Sequence, residues 1–272
     1  MKTNIEVKRT LPPLQLTHSP LILALAQVRM TPVLRMESYI PDIQDRLRKN
    51  GFPKVRRRVV RIESQDQKGK TLQIEERSDW EFVNKGDQVA LVVSENSMAM
   101  ITSNYTSFDE FAGQLENCLD IVHEVVAISG VERLGLRYVD LIEPTLEKPL
   151  SHYLSPQILG LSLEGLGTRL ANMSETVLET GDHQKLVLRC VERPKGVVLP
   201  PDLLPIGVKL KKELKSNVSF GILDSDHYVE FNEEPMEFGT AAVLNRLGGL
   251  HDALDQSFRK AVTPIAIEKE WK

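Results

Sequence analysis

Residues Val131 to Pro144 read VERLGLRYVDLIEP, and how this stretch is read decides the fold. Strand alternation puts Leu134, Leu136, Tyr138, Asp140 and Ile142 on one face, and Arg133, Gly135, Arg137, Val139 and Leu141 on the other. Both faces are mixed. A solvent-facing strand does not spend Val139 and Leu141, and a buried one does not tolerate an unpaired Arg137. The run is therefore expected inside the protein as the seam between two units, with Arg137 reaching a carboxylate or carbonyl. Gly135 then permits a bulge or a close approach beside it.

Working outward, SFDEFAGQLENCLDIVHEVVAIS lies just upstream and brings Phe108, Phe111, Leu115, Cys118, Leu119, Val122 and Val126 onto one helical face. Ser107 is placed to cap it and Glu110 stands in the capping-box position. His123 is expected to be exposed on this helix. Before it, residues 55–104 alternate or are β-branched, as an antiparallel meander interrupted by QDQKGK and NKGD. PLILALAQV is too short to cross a bilayer as a helix and reads as a buried strand or core segment. MESYIPDIQDRLRKNGF reads as a helix with Pro41 in its first turn and Gly51 as its stop.

Downstream, GTRLANMSETVLETG with HQKLVLRCVERPKG predicts one hairpin, and VSFGILDSDHYVEF a second. A long helix is expected from about Phe238 to Val262, ended by Pro264. A shift of 132 positions sets Leu115 on Leu247, Cys118 on Leu250, Val122 on Leu254 and Val126 on Phe258. Each of these helices follows a hairpin. The expected fold is accordingly α+β, with two related units, residues 1–144 and 145–272, each a curved antiparallel sheet with a long helix across one face, the two sharing one continuous core, and a continuous sheet joining them would explain the lack of a flexible linker.

The chain has 272 residues, is 41% hydrophobic and 26% charged, and carries a formal net charge of -4. That balance gives no global attraction for nucleic acid, so any such binding must come from a local patch. The start of the chain lacks the apolar segment of a secretory signal. Cys118 and Cys190 make no CxxC pair. A cytoplasmic protein without a membrane partner is the expectation.

The segments LPPL...SPLILALAQVRM, VERLGLRYVDLIEP, ILDSDHYVEF and GGLHDALDQSFRKAVTPIAIEKEW run nearly end to end. Together they resemble a sporadically distributed family of uncharacterised bacterial and archaeal proteins, with a central GLRY strand motif and a C-terminal helix containing LH. An acidic residue more common in the family near its start is replaced here within LALAQVRM. The resemblance implies a cytoplasmic accessory protein from variable genome regions, linked to antiphage defence or toxin-neutralising, antitoxin-like operons. It implies no catalytic residue.

Several stretches invite chemistry. RLRKNGFPKVRRRVVR holds eight cations, among them Arg56, Arg57, Arg58 and Arg61, and no acidic residue. It could contact RNA or DNA phosphates. It reads equally as a charged edge strand or a surface for an acidic protein, since alternation separates Arg57 from Arg56 and Arg58. DSDHY could offer Asp224, Asp226 and His227 to a metal, but reads more simply as a hairpin turn, so no metal and no cofactor is assigned. His251 falls on an apolar helical stripe and reads as structural. The cysteines read as small core residues. GLSLEGLG and RLGGLH lack the context of a phosphate loop.

No catalytic set is assigned, and the expected function is a non-enzymatic interaction protein with a protein partner, a homodimer being compatible with exposed sheet edges. The alternatives are an RNA- or ligand-binding module, and an enzyme with a pocket between the units built from Arg137, Tyr138, Asp226 and His251.

Overall fold

The run LILALAQVRM forms strand β1 (Leu21–Met30) in the computed structural model of the protein. The structure describes residues 14–65, 71–161, 165–167, 169–193, 199–211, 220–231 and 233–272, with the backbone alone at 60–65, 71–75 and 77. Most of LPPL, most of QDQKGK, part of GLSLEGLG and the residues of VKLKKELKS beyond Lys211 lie outside the described residues, and so does the side chain of Arg61.

Helix α1 (Met36–Lys49) follows, because Met36, Ile40, Ile43 and Leu47 recur at helical spacing and all are buried. Gly51 stops it with φ +95°, a conformation open to glycine at no steric cost. Pro41 lies inside α1, beyond the first turn where it was expected. Strands β2 (Lys54–Gln65), β3 (Thr71–Val83), β4 (Val89–Val93) and β5 (Ser97–Thr102) then form the meander, each antiparallel to the next.

Helix α2 (Phe108–Val126) begins at Ser107, whose hydroxyl accepts the Glu110 N–H at 3.2 Å. The Glu110 carboxylate takes the Thr106 hydroxyl instead of closing a reciprocal box. The chain continues through β6 (Gly130–Ile142), a short α3 (Leu150–Tyr153), β7 (Asn172–Gly181), β8 (Gln184–Arg193), β9 (Phe220–Glu230), β10 (Met236–Glu237) and α4 (Thr240–Ala261).

All strands join one ten-stranded antiparallel sheet in the order β2-β3-β4-β5-β1-β6-β9-β8-β7, with β10 added beside the start of β6. This overturns the expectation of two related units, each a sheet crossed by its own helix. The stretch read as a seam is a central strand: β6 pairs along its length with β1 on one side and β9 on the other. A seam between two sheets would leave one edge of β6 with buried, unpaired N–H and C=O groups, and a continuous ladder satisfies them all.

The long helices α1, α2 and α4 pack on the same face, over Ala26, Val28, Leu91, Met98, Met100, Leu134 and Leu136. The opposite face carries a second core of Leu23, Val83, Ala90, Val139, Leu141 and Ile222, covered by the segment bearing Leu199 and Val208. The expected hairpin in VSFGILDSDHYVEF is also corrected, since Phe220–Glu230 is one uninterrupted strand paired with β6 and β8. Asp224 finds its partner on β6 and leaves no turn backbone to satisfy. The hairpin of β7 and β8 is formed as expected.

Candidate binding cavity

The alternation of β6 sends its polar residues to opposite sides of the sheet. Away from the helices, Arg137 donates from Nε to Asp224 Oδ1 at 2.7 Å and from Nη2 to Asp224 Oδ2 at 2.8 Å. Asp202 takes the guanidinium from the other side, and Arg189 approaches Asp224 at 3.4 Å while donating to Glu175 at 2.5 Å. Burial alone would lower the Arg137 pKa, but its hydrogen bonds to Asp224 and Asp202 more than reverse that. The same contact lowers the pKa of Asp202. Arg137 thus reaches a carboxylate, as alternation required.

Further along this face, Arg133 lies 4.2 Å over the Tyr228 ring and donates to Gln27 at 2.8 Å. A Cβ on Gly135 would sit 3.1 Å from the Arg133 guanidinium, so glycine makes the room for it. Asp226 stands 3.8 Å from Arg133, and its pKa is raised because burial outweighs that arginine's pull.

On the helix face the chemistry is different. Tyr138, Asp140 and Ser225 come from β6 and β9, His251, Leu254, Asp255 and Phe258 from α4, and Tyr105 to Asp109 from the approach to α2. With the stretch Leu14 to Leu21 across its mouth, they enclose a cavity of about 480 Å³. The Tyr138 hydroxyl is 3.0 Å from His251 Nδ1 and 3.2 Å from the Tyr105 hydroxyl. His251 stacks on Phe108 with ring centroids 4.4 Å apart. Burial, then Tyr105, pushes the Tyr138 pKa up, so the phenol stays protonated.

Two groups in the cavity wall are unsettled. Ser225 is 2% exposed and its hydroxyl has no hydrogen-bond partner among the described residues. Asp140 is 4% exposed, and burial, with the negative charge of Asp224 added, pushes its pKa up to about 8. At neutral pH it is a buried carboxylic acid. Register places Ser225 opposite Tyr138, which makes Asp140 and Ser225 diagonal neighbours on the cavity side of adjacent strands. By contrast His227, next along this face of β9, has both ring nitrogens engaged, with Thr180 at 2.8 Å and the Leu250 carbonyl at 3.0 Å. Burial lowers its pKa.

The residues singled out from the sequence therefore separate. Tyr138 and His251 meet in the cavity, Arg137 and Asp226 sit behind the sheet, and the arginines of β2 lie at the sheet edge with β3, β4, β5 and β1 between them and β6. Asp140 and Ser225 were not singled out. The alternation that places Asp140 beside Tyr138 was in the sequence, but the missing partners depend on tertiary packing.

In the basic run, seven side chains are described and each has an acidic partner: Arg46 with Glu124, Arg48 and Lys49 with Asp45, Lys54 and Arg56 with Asp87, Arg57 with Glu37, and Arg58 with Glu81. Arg56 and Arg58 also donate to the carbonyls of Gly207 at 3.2 Å and Pro205 at 2.8 Å, and so tie down the segment that covers the second core. Arg61 occupies β2 through its backbone, and its side chain lies outside the described residues. His123, expected to be exposed, is half-buried and stacks on Phe238 at 4.5 Å.

Both cysteines are buried, and burial pushes Cys118 up to about 12 and Cys190 up to about 11. Among the described residues no group of His, Cys, Asp and Glu is arranged to hold a metal, and no helix is long and apolar enough to cross a membrane. In comparisons with known proteins the chain matches no family model and no curated sequence.

Proposed function

We propose that this is a non-enzymatic binding protein that takes a small molecule into the cavity between α4, the start of α2 and strands β6 and β9. The observation that carries this reading is the buried Ser225 hydroxyl, left without a partner in the wall of a cavity of about 480 Å³. Buried polar groups are nearly always satisfied, and an orphan facing a cavity is a group waiting for a ligand or water. The volume falls in the range of small-molecule sites.

Binding is favoured over catalysis because the possible nucleophiles are idle. Among the described residues no base contacts Ser225, both cysteine thiols are held protonated, and His251 is engaged at Nδ1 and stacked. The acidic partners of the basic run weigh against a nucleic-acid module, since phosphates would have to displace existing ion pairs. An accessory role in a defence or antitoxin-like operon remains what the family resemblance proposes, and a ligand-sensing subunit suits it.

A ligand-observed NMR screen of a fragment library against the full chain tests the reading. Hits are expected with the native chain and not with Thr106→Trp, which fills the mouth from an exposed position. An empty screen, or hits indifferent to that substitution, would sink it.

A further inference from the structure

We propose that the ligand of this cavity is a small organic cation, an ammonium group carried on an apolar body, with Asp140 as its counter-ion and the Ser225 hydroxyl accepting one of its N–H bonds. This rests on the binding reading above and adds the chemical class.

Among the described residues the lining contains three carboxylates, Asp109, Asp140 and Asp255, and no lysine or arginine, Lys211 lying in the adjoining hollow on the other side of Tyr105 and Thr106. Asp255 is offset by Arg259, which donates to it from outside the lining at 3.1 Å, and Asp109 lies exposed at the rim. Asp140 is the deep one. Tyr105, Phe108, Tyr138 and Phe258 supply aromatic rings, whose faces are electronegative and attract ammonium groups. Leu14, Leu16 and Leu254 give the apolar surface for the rest of the ligand.

A buried carboxylate is costly unless a cation or a proton neutralises it. Burial, then the charge of Asp224, pushes Asp140 up to about 8, so that a proton neutralises it. The groups around it are Tyr138 on its own strand, Asp224 across the sheet, His251 and Asp255 on α4, and Tyr105 and Asp109 before and in α2. None of the aspartates helps Asp140 ionise, and among the described residues the covering stretch from Leu14 to Leu21 adds no titratable group to the lining, Lys211 facing the adjoining hollow instead. An ammonium ligand would replace the Asp140 proton, which leaves to solvent on binding.

A neutral acceptor ligand is the rival, because it would take a hydrogen bond from the protonated acid. The two are opposed in pH dependence. Replacing a proton makes affinity rise about tenfold per pH unit up to the group's pKa and then level off, while accepting from it makes affinity fall above that pKa.

The experiment is calorimetric titration of the full chain with 2-phenylethylammonium, benzylammonium and tetramethylammonium chloride, and with 2-phenylethanol as the neutral comparator, at about pH 6, 7, 8 and 9, spanning the window in which proton linkage is read. At least one cation is expected to bind, with proton release seen as buffer-dependent heat and with affinity climbing to a plateau near pH 8. Asp140→Asn should lose that binding and Ser225→Ala should weaken it about ten- to hundredfold, in line with one lost hydrogen bond to a charged group. Thr106→Trp, exposed and remote from the floor, serves if either variant fails to fold. Failure of every cation to bind, tighter binding of the alcohol, or affinity that falls with pH overturns the proposal. Fragment hits that are neutral yet blocked by Thr106→Trp would leave the binding reading standing without it, and an empty fragment screen removes both.

Discussion

The two faces of β6 and β9 set polar residues in the same strands under opposite conditions. Behind the sheet Arg137 and Asp224 neutralise each other through a bidentate contact, with Asp202, Arg189 and Glu175 completing the network. On the helix face Asp140 has only a proton to neutralise it, and Ser225 has no partner. Strand alternation puts Arg137 and Asp140, three residues apart on β6, on opposite faces, so the difference lies in what the rest of the fold delivers to each side. A network closed on itself stabilises the native state, whereas an open set of polar groups beside a cavity costs stability and is available for binding.

The sharpest way to break the comparison is to open the closed side. Arg137→Ala strands Asp224, which is 2% exposed, with Arg189 at 3.4 Å as its remaining cation. A loss of about 3–5 kcal/mol is expected in urea unfolding, the range for breaking one partner out of a buried pair. Replacing both partners by apolar residues, Arg137→Met with Asp224→Leu, should recover most of it. If Arg137→Ala melts like the native chain, the closed network is not what holds β6 to β9.

The open side gives an effect of comparable size, spread over pH. In the unfolded chain the Asp140 carboxyl titrates at about 4, and in the fold at about 8. Between those values the folded state holds the proton more tightly, so stability is highest at low pH, declines as pH rises through the window, and levels off above about 8. The slope approaches about 1.4 kcal/mol per pH unit at most. Asp140→Asn should flatten this profile and gain up to about 5 kcal/mol at the alkaline end, the slope summed over the window from about 4 to about 8. An unchanged slope in urea melts across pH would mean that Asp140 ionises in the fold without penalty.

Ser225→Ala should gain about 1 kcal/mol, because it removes an unsatisfied buried hydroxyl and leaves no partner stranded. The control is Thr180→Val, which strips His227 Nε2 of its partner at 2.8 Å and should cost about the same amount. Opposite signs from two hydroxyl deletions on one sheet face would separate the open group from the closed one. Equal signs would show that Ser225 is satisfied in solution by water.

How much of this was legible follows the same division. Period-two alternation in VERLGLRYVDLIEP correctly placed Tyr138 with Asp140 and opposed them to Arg137, because alternation is local. The need for a carboxylate near Arg137 was also legible, since burying an arginine demands one. Which carboxylate was not: Asp224 was read into a turn, because Asp and Ser clusters favour turns when nothing across the sheet claims them. The two-unit reading failed for a related reason. Two amphipathic helices, each after a strand pair, suggest a repeated unit, and only the pairing of β6 with both β1 and β9 shows one sheet that is not divided between them. Asp140 and Ser225 escaped notice because a missing partner leaves no pattern in a sequence.

The smallest effect belongs to the sheet edge, where alternation repeats the comparison on β2. Arg56 and Arg58 turn to the face of the second core and hold the carbonyls of Gly207 and Pro205. Arg57 turns to the helix face, where it pairs with Glu37 at 2.9 Å and lies 5.8 Å from the Trp80 ring. Arg57 and Glu37 are both more than half exposed, so solvent screens the pair, and Arg57→Ala should cost about 0.5 kcal/mol. Arg58→Ala should cost more than Arg57→Ala, because it leaves Glu81 buried at 5% side-chain exposure without its arginine. If the basic run served nucleic acid instead, the order would invert in filter binding. Arg57, the most exposed of the three, would then matter most for affinity, and its loss would reduce the salt dependence by about one phosphate contact. Unfolding that ranks Arg58 above Arg57, together with no retention of RNA or DNA on the filter at low salt, assigns these arginines to holding the sheet edge and its covering segment.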